Sequence, residues 1–549
     1  MGKIWSLLTR KQTTVGSAAI VLVSMVFASR VLGLLRDRML SARFVPDDLG
    51  VYFAAFRLPN LIFELLVMGA LTSAFIPVFT KYLSHKKEKE AQRTASSLIN
   101  LGVLVLIAVS IPLFVWAEQI SGLLAPGFSV DQVRQMASFT RFMMVFQVLP
   151  LLVGNFFTGI LQSYNLFIIP AMAPVFYNLG IIAGILGLSA QLGLWAPVVG
   201  VGFGAFLFMA IQIPLLFAVG YRHSGQFSPN LPGVREVGRL MGPRTLGLAI
   251  SQIDTTVDLM LASLLGARMV TIFSFAQHLQ QLPVGLFGAT VAQAALPLLS
   301  QQLARNNLEE FKVTLQRALH QILFFVLPAS VLFIVLRIPM VRLVFGAARF
   351  DWEATVLTGM TLSAFSISLF AQSISHVLAR GFYALYDTKT PVVAGVIAII
   401  INTVLSIIFI KTLALPIWSL GLSTSIASFV NAGLLLKLLD ARVNRFSRWD
   451  LFGPPIKMAI AAAITGVALY VPLKLLDQLV FDTTRTFGLL LLTGVSGSIG
   501  LATYLFLSWV MGVGEVRFFF NLLRRVKRLR ILLEPAGEVI NGGIQDKMS

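Results

Sequence analysis

VGSAAIVLVSMVFASRVLGLLRD, residues 15–37, is a run of small and branched apolar residues, interrupted by Arg30 and closed by Arg36 and Asp37. A hydrocarbon core of about 30 Å needs about 20 residues of helix. A lone stretch of this kind can satisfy its backbone in lipid only as a helix, whereas a barrel would show short alternating segments. Arg30 then poses the functional question. A guanidinium costs about 3 kcal/mol at mid-bilayer on insertion scales and does not give up its proton. Kept at that depth, it predicts an anion to meet.

Outward from this stretch the same texture continues. The 549 residues are 57% hydrophobic and 12% charged, with mean hydropathy +0.84, the composition of a polytopic membrane protein. Fourteen spans are expected, near 15–36, 51–82, 97–118, 138–163, 170–190, 196–219, 243–265, 270–300, 317–337, 355–385, 391–412, 416–439, 455–473 and 487–511. No small-residue cleavage site follows the first run, so it reads as a retained helix. The absence of cysteine excludes disulfides and thiolate metal sites.

The formal charge of +19 is placed by topology and not as a nucleic-acid patch. Counted from an inside N-terminus, one set of loops holds Lys3, Arg10, Lys11, Lys81, Lys86, Lys87, Lys89, Arg93, Arg222, Arg235, Arg239, Arg305, Lys312, Lys389, Arg442, Arg445 and Arg448. The opposite loops are poorer, with Arg134, Arg268, Arg342, Arg349, Lys411 and Arg485 among few others. The bias puts both termini in the cytoplasm and predicts contact with anionic membrane lipids. VRFFFNLLRRVKRLRILL, 516–533, reads as a basic amphipathic surface helix.

The chain also repeats. Gly159 matches Gly381, Tyr164 matches Tyr386 and Asn165 matches Asp387 at an offset of 222, and Pro170 matches Pro391 at 221. Two six-span halves give a parallel repeat. The expected units are an N-lobe (1–222), a C-lobe (223–440), two further spans (441–512) and a cytoplasmic tail (513–549).

Several polar groups fall inside these spans. Arg30 and Asp37, seven apart, share a helix face, with Arg36 turned about 120° from Arg30; a bend near Gly33 would bring the two arginines together. Arg38 reads as a snorkelling end residue. Arg57, Asn60 and Glu64 form a stripe in the second span, in which Glu64 reads as a structural counter-ion and Pro59 frees a carbonyl. The eighth span carries Gln277, His278, Gln280 and Gln281, a wet lining. Span seven holds Ser251, Asp254 and Asp258 on one stripe, with Asn402 and Ser423, Thr424 and Ser425 as neutral oxygens suited to Na⁺. Two carboxylates at this depth bind a cation, trade a proton or pair with an arginine, and the spacing leaves these open. No P-loop, nucleophile elbow or metal-spaced cluster suggests an enzyme.

Together SRVLGLLRD (29–37), AFRLPNL (55–61), GALTSAFIPVF (69–79), APGF (125–128), SYNLFIIPAMAPVFYN (163–178), MGPRTLGLAISQI (241–253) and GFYALYDTKTPV (381–392) resemble the MurJ (MviN) family of lipid II flippases, in the multidrug/oligosaccharidyl-lipid/polysaccharide exporter superfamily. The resemblance implies alternating access between the lobes, a tail groove formed by spans thirteen and fourteen, and a cationic cavity for the lipid pyrophosphate and sugar. It places Arg30 and Arg36 at two family arginine positions. Phe63 and His278 stand where the family commonly has arginine, and Gly50 where it often has aspartate, with Asp48 two residues upstream. It implies Na⁺ near Asp258, with Asn402 beside it.

The reading is a non-enzymatic, monomeric bacterial plasma-membrane flippase for a polyprenyl-pyrophosphate-linked peptidoglycan precursor, binding substrate through Arg30, Arg36, Arg57, Asn60, His278 and Gln281. No cofactor is expected; Na⁺, H⁺ or the membrane potential would drive it, with Asp254, Asp258 and Asn402 as coupling candidates and Asp258 the candidate Na⁺ ligand. Alternatives are a flippase for another polyprenyl-linked glycan, a cation-coupled drug exporter using Asp254 and Asp258, and a non-transporting scaffold.

Overall fold

The computed structural model describes residues 15–68, 74–479, 486–517 and 519–520. Lys3, Arg10, Lys11, Arg485, part of the 69–79 motif and nearly all of the basic C-terminal helix lie outside the described residues. Among the described residues the chain is helical with no strand.

The first half runs α1 (Val15–Arg43), α2 (Pro46–Val67), α3 (Ile76–Ser84), α4 (Glu88–Val115), α5 (Ala117–Leu124), α6 (Val130–Ser163), α7 (Ile168–Leu192) and α8 (Trp195–Ala218). The second runs α9 (Pro232–Leu264), α10 (Ala267–Ala304), α11 (Leu308–Val335), α12 (Arg337–Phe345), α13 (Trp352–Ser366), α14 (Leu369–Ala384), α15 (Lys389–Thr412) and α16 (Trp418–Arg442). Then come α17 (Arg448–Leu476) and α18 (Thr486–Val510).

By length and apolarity, 11 of the described helices can cross a bilayer, or 12 if α13 and α14, which meet at a 42° bend, count as one span. The expected fourteen is therefore not reached on those grounds alone. The two remaining expected spans are α1 and α9, 29 and 33 residues long, and both carry the charged groups described below.

The repeat is visible in the helix ends. α4 and α11 are both 28 residues long, and each is followed by a short helix, α5 or α12. A π-helical turn interrupts the second long helix of each half, at Glu64–Met68 and at Val284–Ala289. The turn after α6 corrects the sequence register by one residue. Asn165 and Tyr386 are the left-handed residues (φ 62° and 59°), and the next N–H, of Leu166 or Asp387, reaches back to Leu161 or Phe382. Asn165 is thus equivalent to Tyr386, not to Asp387. Asp387 instead caps α15, accepting from the Lys389 and Thr390 N–H groups at 3.1 and 3.0 Å. These bonds and the Thr390 hydroxyl hold its carboxyl below the usual range.

Small residues set the closest packing. Gly180 and Gly184 on α7 meet Gly204 and Gly200 on α8; a Cβ on Gly180 would lie 2.3 Å from the Gly204 Cα. Two such four-residue spacings allow the backbones to touch, a packing that works in lipid because it relies on dispersion.

The halves dock tightly at the end where α1 finishes. A Cβ on Gly50 would lie 1.9 Å from the Ala267 carbonyl oxygen, and one on Gly127 equally close to that of Ser263. The Thr271 hydroxyl donates to the Pro46 carbonyl at 2.5 Å, and Arg268 meets Asp351 at 2.6 Å, Glu353 at 3.2 Å and Asp47 at 4.0 Å. Arg38, expected to snorkel, instead donates to the Leu343 carbonyl on α12 at 2.5 Å. At the opposite end the start of α9 rests on the first half, with Lys81 3.1 Å from Glu236 and Gly233 against Thr94 and Tyr82.

Candidate functional site

Between the halves lies a cavity of about 350 Å³ lined by Arg36, Tyr52, Arg57, Asn60, Tyr177 and His278 among others. A second, of about 420 Å³, is lined by Arg30, Arg36, Asp37, Asn178, His278 and Gln281 among others. They share Arg36 and His278. α1 is one continuous helix from Val15 to Arg43, and Arg30 and Arg36 line one cavity without a break at Gly33.

The charged groups here differ in what they hold. Arg30 is exposed and has no hydrogen-bond or ion-pair partner among the described residues. Arg36 donates to Asp37 Oδ1 through Nε at 2.9 Å and Nη2 at 2.8 Å, and to Asn178 Oδ1 at 3.4 Å. The other Asp37 oxygen lies 2.8 Å from His278 Nδ1, on α10. Asp37, 1% exposed, therefore ties an arginine of one half to a histidine of the other. A buried carboxylate between two such groups is stable only while both are present.

Arg57 is not a free anion receptor. It is buried, and its Nε donates to Thr256 Oγ1 at 2.8 Å while Nη2 donates to the Gln252 carbonyl. Both acceptors are on α9. Glu64, expected as a counter-ion, makes no direct salt bridge among the described residues, but its charge and that of Arg57 attract each other. The carbonyl freed by Pro59, that of Ala55, accepts from Thr140 Oγ1 at 3.1 Å. Asn60 is exposed and accepts a long 3.5 Å bond from Gln147. Gln281 is exposed beside Arg30, whereas Gln280 is buried and donates to Gln372 inside the second half.

The expected acidic cluster forms. Asn402 Nδ2 donates to Asp254 Oδ1 at 2.8 Å and to Asp258 Oδ1 at 3.4 Å, and Asn402 Oδ1 is buried without a partner. Ser423 joins Ser406 at 2.6 Å nearby in the chain, but Ser425 turns to the Ala364 carbonyl and Ser251 to that of Leu248. On α9, Gln252 and Thr256 share the face toward Arg57, and Asp254 and Asp258 the face toward Asn402. One helix links the cationic cavity to the acidic cluster.

Sequence reading missed Asp37 as the cross-lobe link and Asn178, whose Nδ2 donates to the Ser29 carbonyl and hydroxyl at 3.3 and 3.2 Å. Asn178 closes the 163–178 motif, the one signal that pointed to it.

Two helical lobes around a cationic cavity, with further helices beside them, define a multi-pass membrane transporter of the alternating-access kind. The profile of the lipid II flippase MurJ family matches residues 45–493, and the chain belongs to that family. A probable lipid II flippase MurJ of Vibrio cholerae is 30% identical over 522 residues, covering 90% of this chain and 96% of that protein. One from Thermotoga maritima is 27% identical, covering 81% and 88%. A solved lipid II flippase MurJ in an inward closed conformation superposes with TM-score 0.75 at 25% identity, over 92% of this chain and 100% of that one. An inward-facing multidrug resistance MATE transporter shares the fold, with TM-score 0.64 at 16% identity over 78% and 98%.

Proposed function

We propose that this chain moves lipid II, the polyprenyl-pyrophosphate-linked peptidoglycan precursor, from the inner to the outer leaflet of a bacterial plasma membrane by alternating access. Membership of the MurJ family supports the cargo. The observation that carries the site is Arg30, a cation inside the lobe interface with no protein partner, beside Arg36 and Gln281. The pyrophosphate would pair with Arg30 and draw Arg36 away from Asp37, since charge-assisted bonds to phosphate are short and strong. Releasing Asp37 leaves a buried carboxylate with His278 as its remaining partner, so binding changes the charge balance across the lobe interface. Asn60 and Gln281 supply neutral hydrogen bonds to the sugar. No covalent step is involved, and a monomer suffices.

In this reading both termini face the cytoplasm, and the tightly docked end near Gly50 faces outward. Asp254, Asp258 and the unpartnered Asn402 oxygen suit Na⁺, which takes several oxygens, or a proton shared between the carboxylates. Either would act on Arg57 through α9. An inside-negative potential favours outward movement of an anion, by about 2.3 kcal/mol per charge per 100 mV.

The test is rescue of a bacterium depleted of its own lipid II flippase, with surface-exposed lipid II quantified. Wild-type rescue, lost in Arg30→Ala at equal expression, is expected. A well-expressed chain that leaves lipid II inside overturns the cargo, and rescue by Arg30→Ala overturns the site.

A further inference from the structure

A cavity of about 320 Å³ lies away from the lobe interface, between the first turns of α11, the first turns of α17 and the segment that follows α18. Its lining includes Arg317, Trp449, Asp450 and Lys457. His320 is buried against it, 3.6 Å from Glu515 and 3.3 Å from the Leu451 carbonyl, so both side chains already have a partner. The side chains of Arg317, Lys457 and Asp450 have no hydrogen-bond or ion-pair partner among the described residues.

The surroundings are those of a membrane surface. Trp449 is 76% exposed, and from it Phe452, Ile456, Ile460 and Ile464 continue as exposed residues along one face of α17. An aromatic ring at the rim of an apolar stripe is the usual pattern at the headgroup level. A ligand seated here has a polar head among three unpartnered charges and an apolar body on α17.

The charges select the head. A simple anion would satisfy Arg317 and Lys457 but face the Asp450 carboxylate. A zwitterion with a phosphodiester and a primary ammonium gives every charge on the lining an opposite. We propose that this cavity binds a phosphoethanolamine-headed membrane phospholipid, with its phosphodiester at Arg317 and Lys457, its ammonium at Asp450, and an acyl chain along Phe452, Ile456 and Ile460. The proposal is independent of the cargo carried between the lobes.

Native mass spectrometry of the purified full chain, titrated with phosphatidylethanolamine, phosphatidylglycerol and phosphatidylcholine of matched chains, tests it. Wild type is expected to retain one phosphatidylethanolamine in preference to the others. Arg317→Ala/Lys457→Ala should weaken that adduct by at least about tenfold, with the loss of both charge-assisted contacts to the phosphodiester. The surface control Lys89→Ala/Arg93→Ala should leave it unchanged. Asp450→Asn, at the rim, should shift the preference toward phosphatidylglycerol. Equal retention of all three lipids by wild type, or an adduct that survives Arg317→Ala/Lys457→Ala, overturns the site. Soluble glycerophosphoethanolamine competing at lipid concentrations would make it a site for a soluble phosphate ester and overturn the lipid assignment.

Discussion

The first half keeps its buried charge at the lobe interface, and the second half keeps its own inside a lobe. Asp37 holds Arg36 on its own helix and His278 across the cavity, and Arg57 crosses to α9. Asp254 and Asp258 share one amide, Asn402, and form no salt bridge among the described residues. The first set is a fastening between moving bodies, complete only while the lobes are together. The second is a pair of like groups bridged by one amide, which the proposed function loads with a cation or a proton. Neutralising a buried carboxylate should therefore have opposite consequences in the two places.

The largest effect is expected at Asp37. Asp37→Asn leaves a largely buried guanidinium with a neutral partner, a loss on the order of 3 kcal/mol. Thermal melting in detergent should fall, and surface lipid II should drop with it. An unchanged melting temperature would remove Asp37 as the fastening. Arg57→Ala comes next, at about 2 kcal/mol, because removing a buried guanidinium offsets part of two lost charged hydrogen bonds, and should raise solvent accessibility of a cysteine introduced at Thr255, which lines the cavity. Asp258→Asn should move the other way and raise stability by about 1 kcal/mol, because a buried charge without a counter-ion is removed. It should also abolish any Na⁺ or pH dependence of transport. If it destabilises as Asp37→Asn does, the contrast between the regions fails.

The smallest effect concerns the docked end. Partial burial works against the Asp351 carboxylate, but the hydrogen bonds from Arg268 and from the Ala354 N–H outweigh it and hold the group below its usual range. Because the folded value is the lower one, its contribution is complete above the unfolded value of about 4 and is lost as pH falls through the folded one. The difference in melting temperature between wild type and Asp351→Asn should be flat from about pH 8 to 5 and shrink only in stronger acid. A decline near neutrality would point to another group.

The class of fold was legible because lipid imposes it. A chain of long apolar runs has no other way to satisfy its backbone, and a duplicated chain repeats its turns, as Asn165 and Tyr386 do. Arg30, Asp258 and Asn402 could be singled out because a polar group at membrane depth is costly wherever it points. Their partners could not be named. Whether Arg57 meets an anion or the Gln252 carbonyl, and whether Asp37 reaches His278, depends on how α9 and α10 lie against the first half. That is set by backbone approach at Gly50 and Gly127 and by the Thr94 and Tyr82 side chains against Gly233, hundreds of residues from some of the groups they align. Sequence alone determined which charges this protein keeps in the membrane, since their cost is local. Only the tertiary structure decided which remain free for a ligand, since that depends on contacts between distant helices.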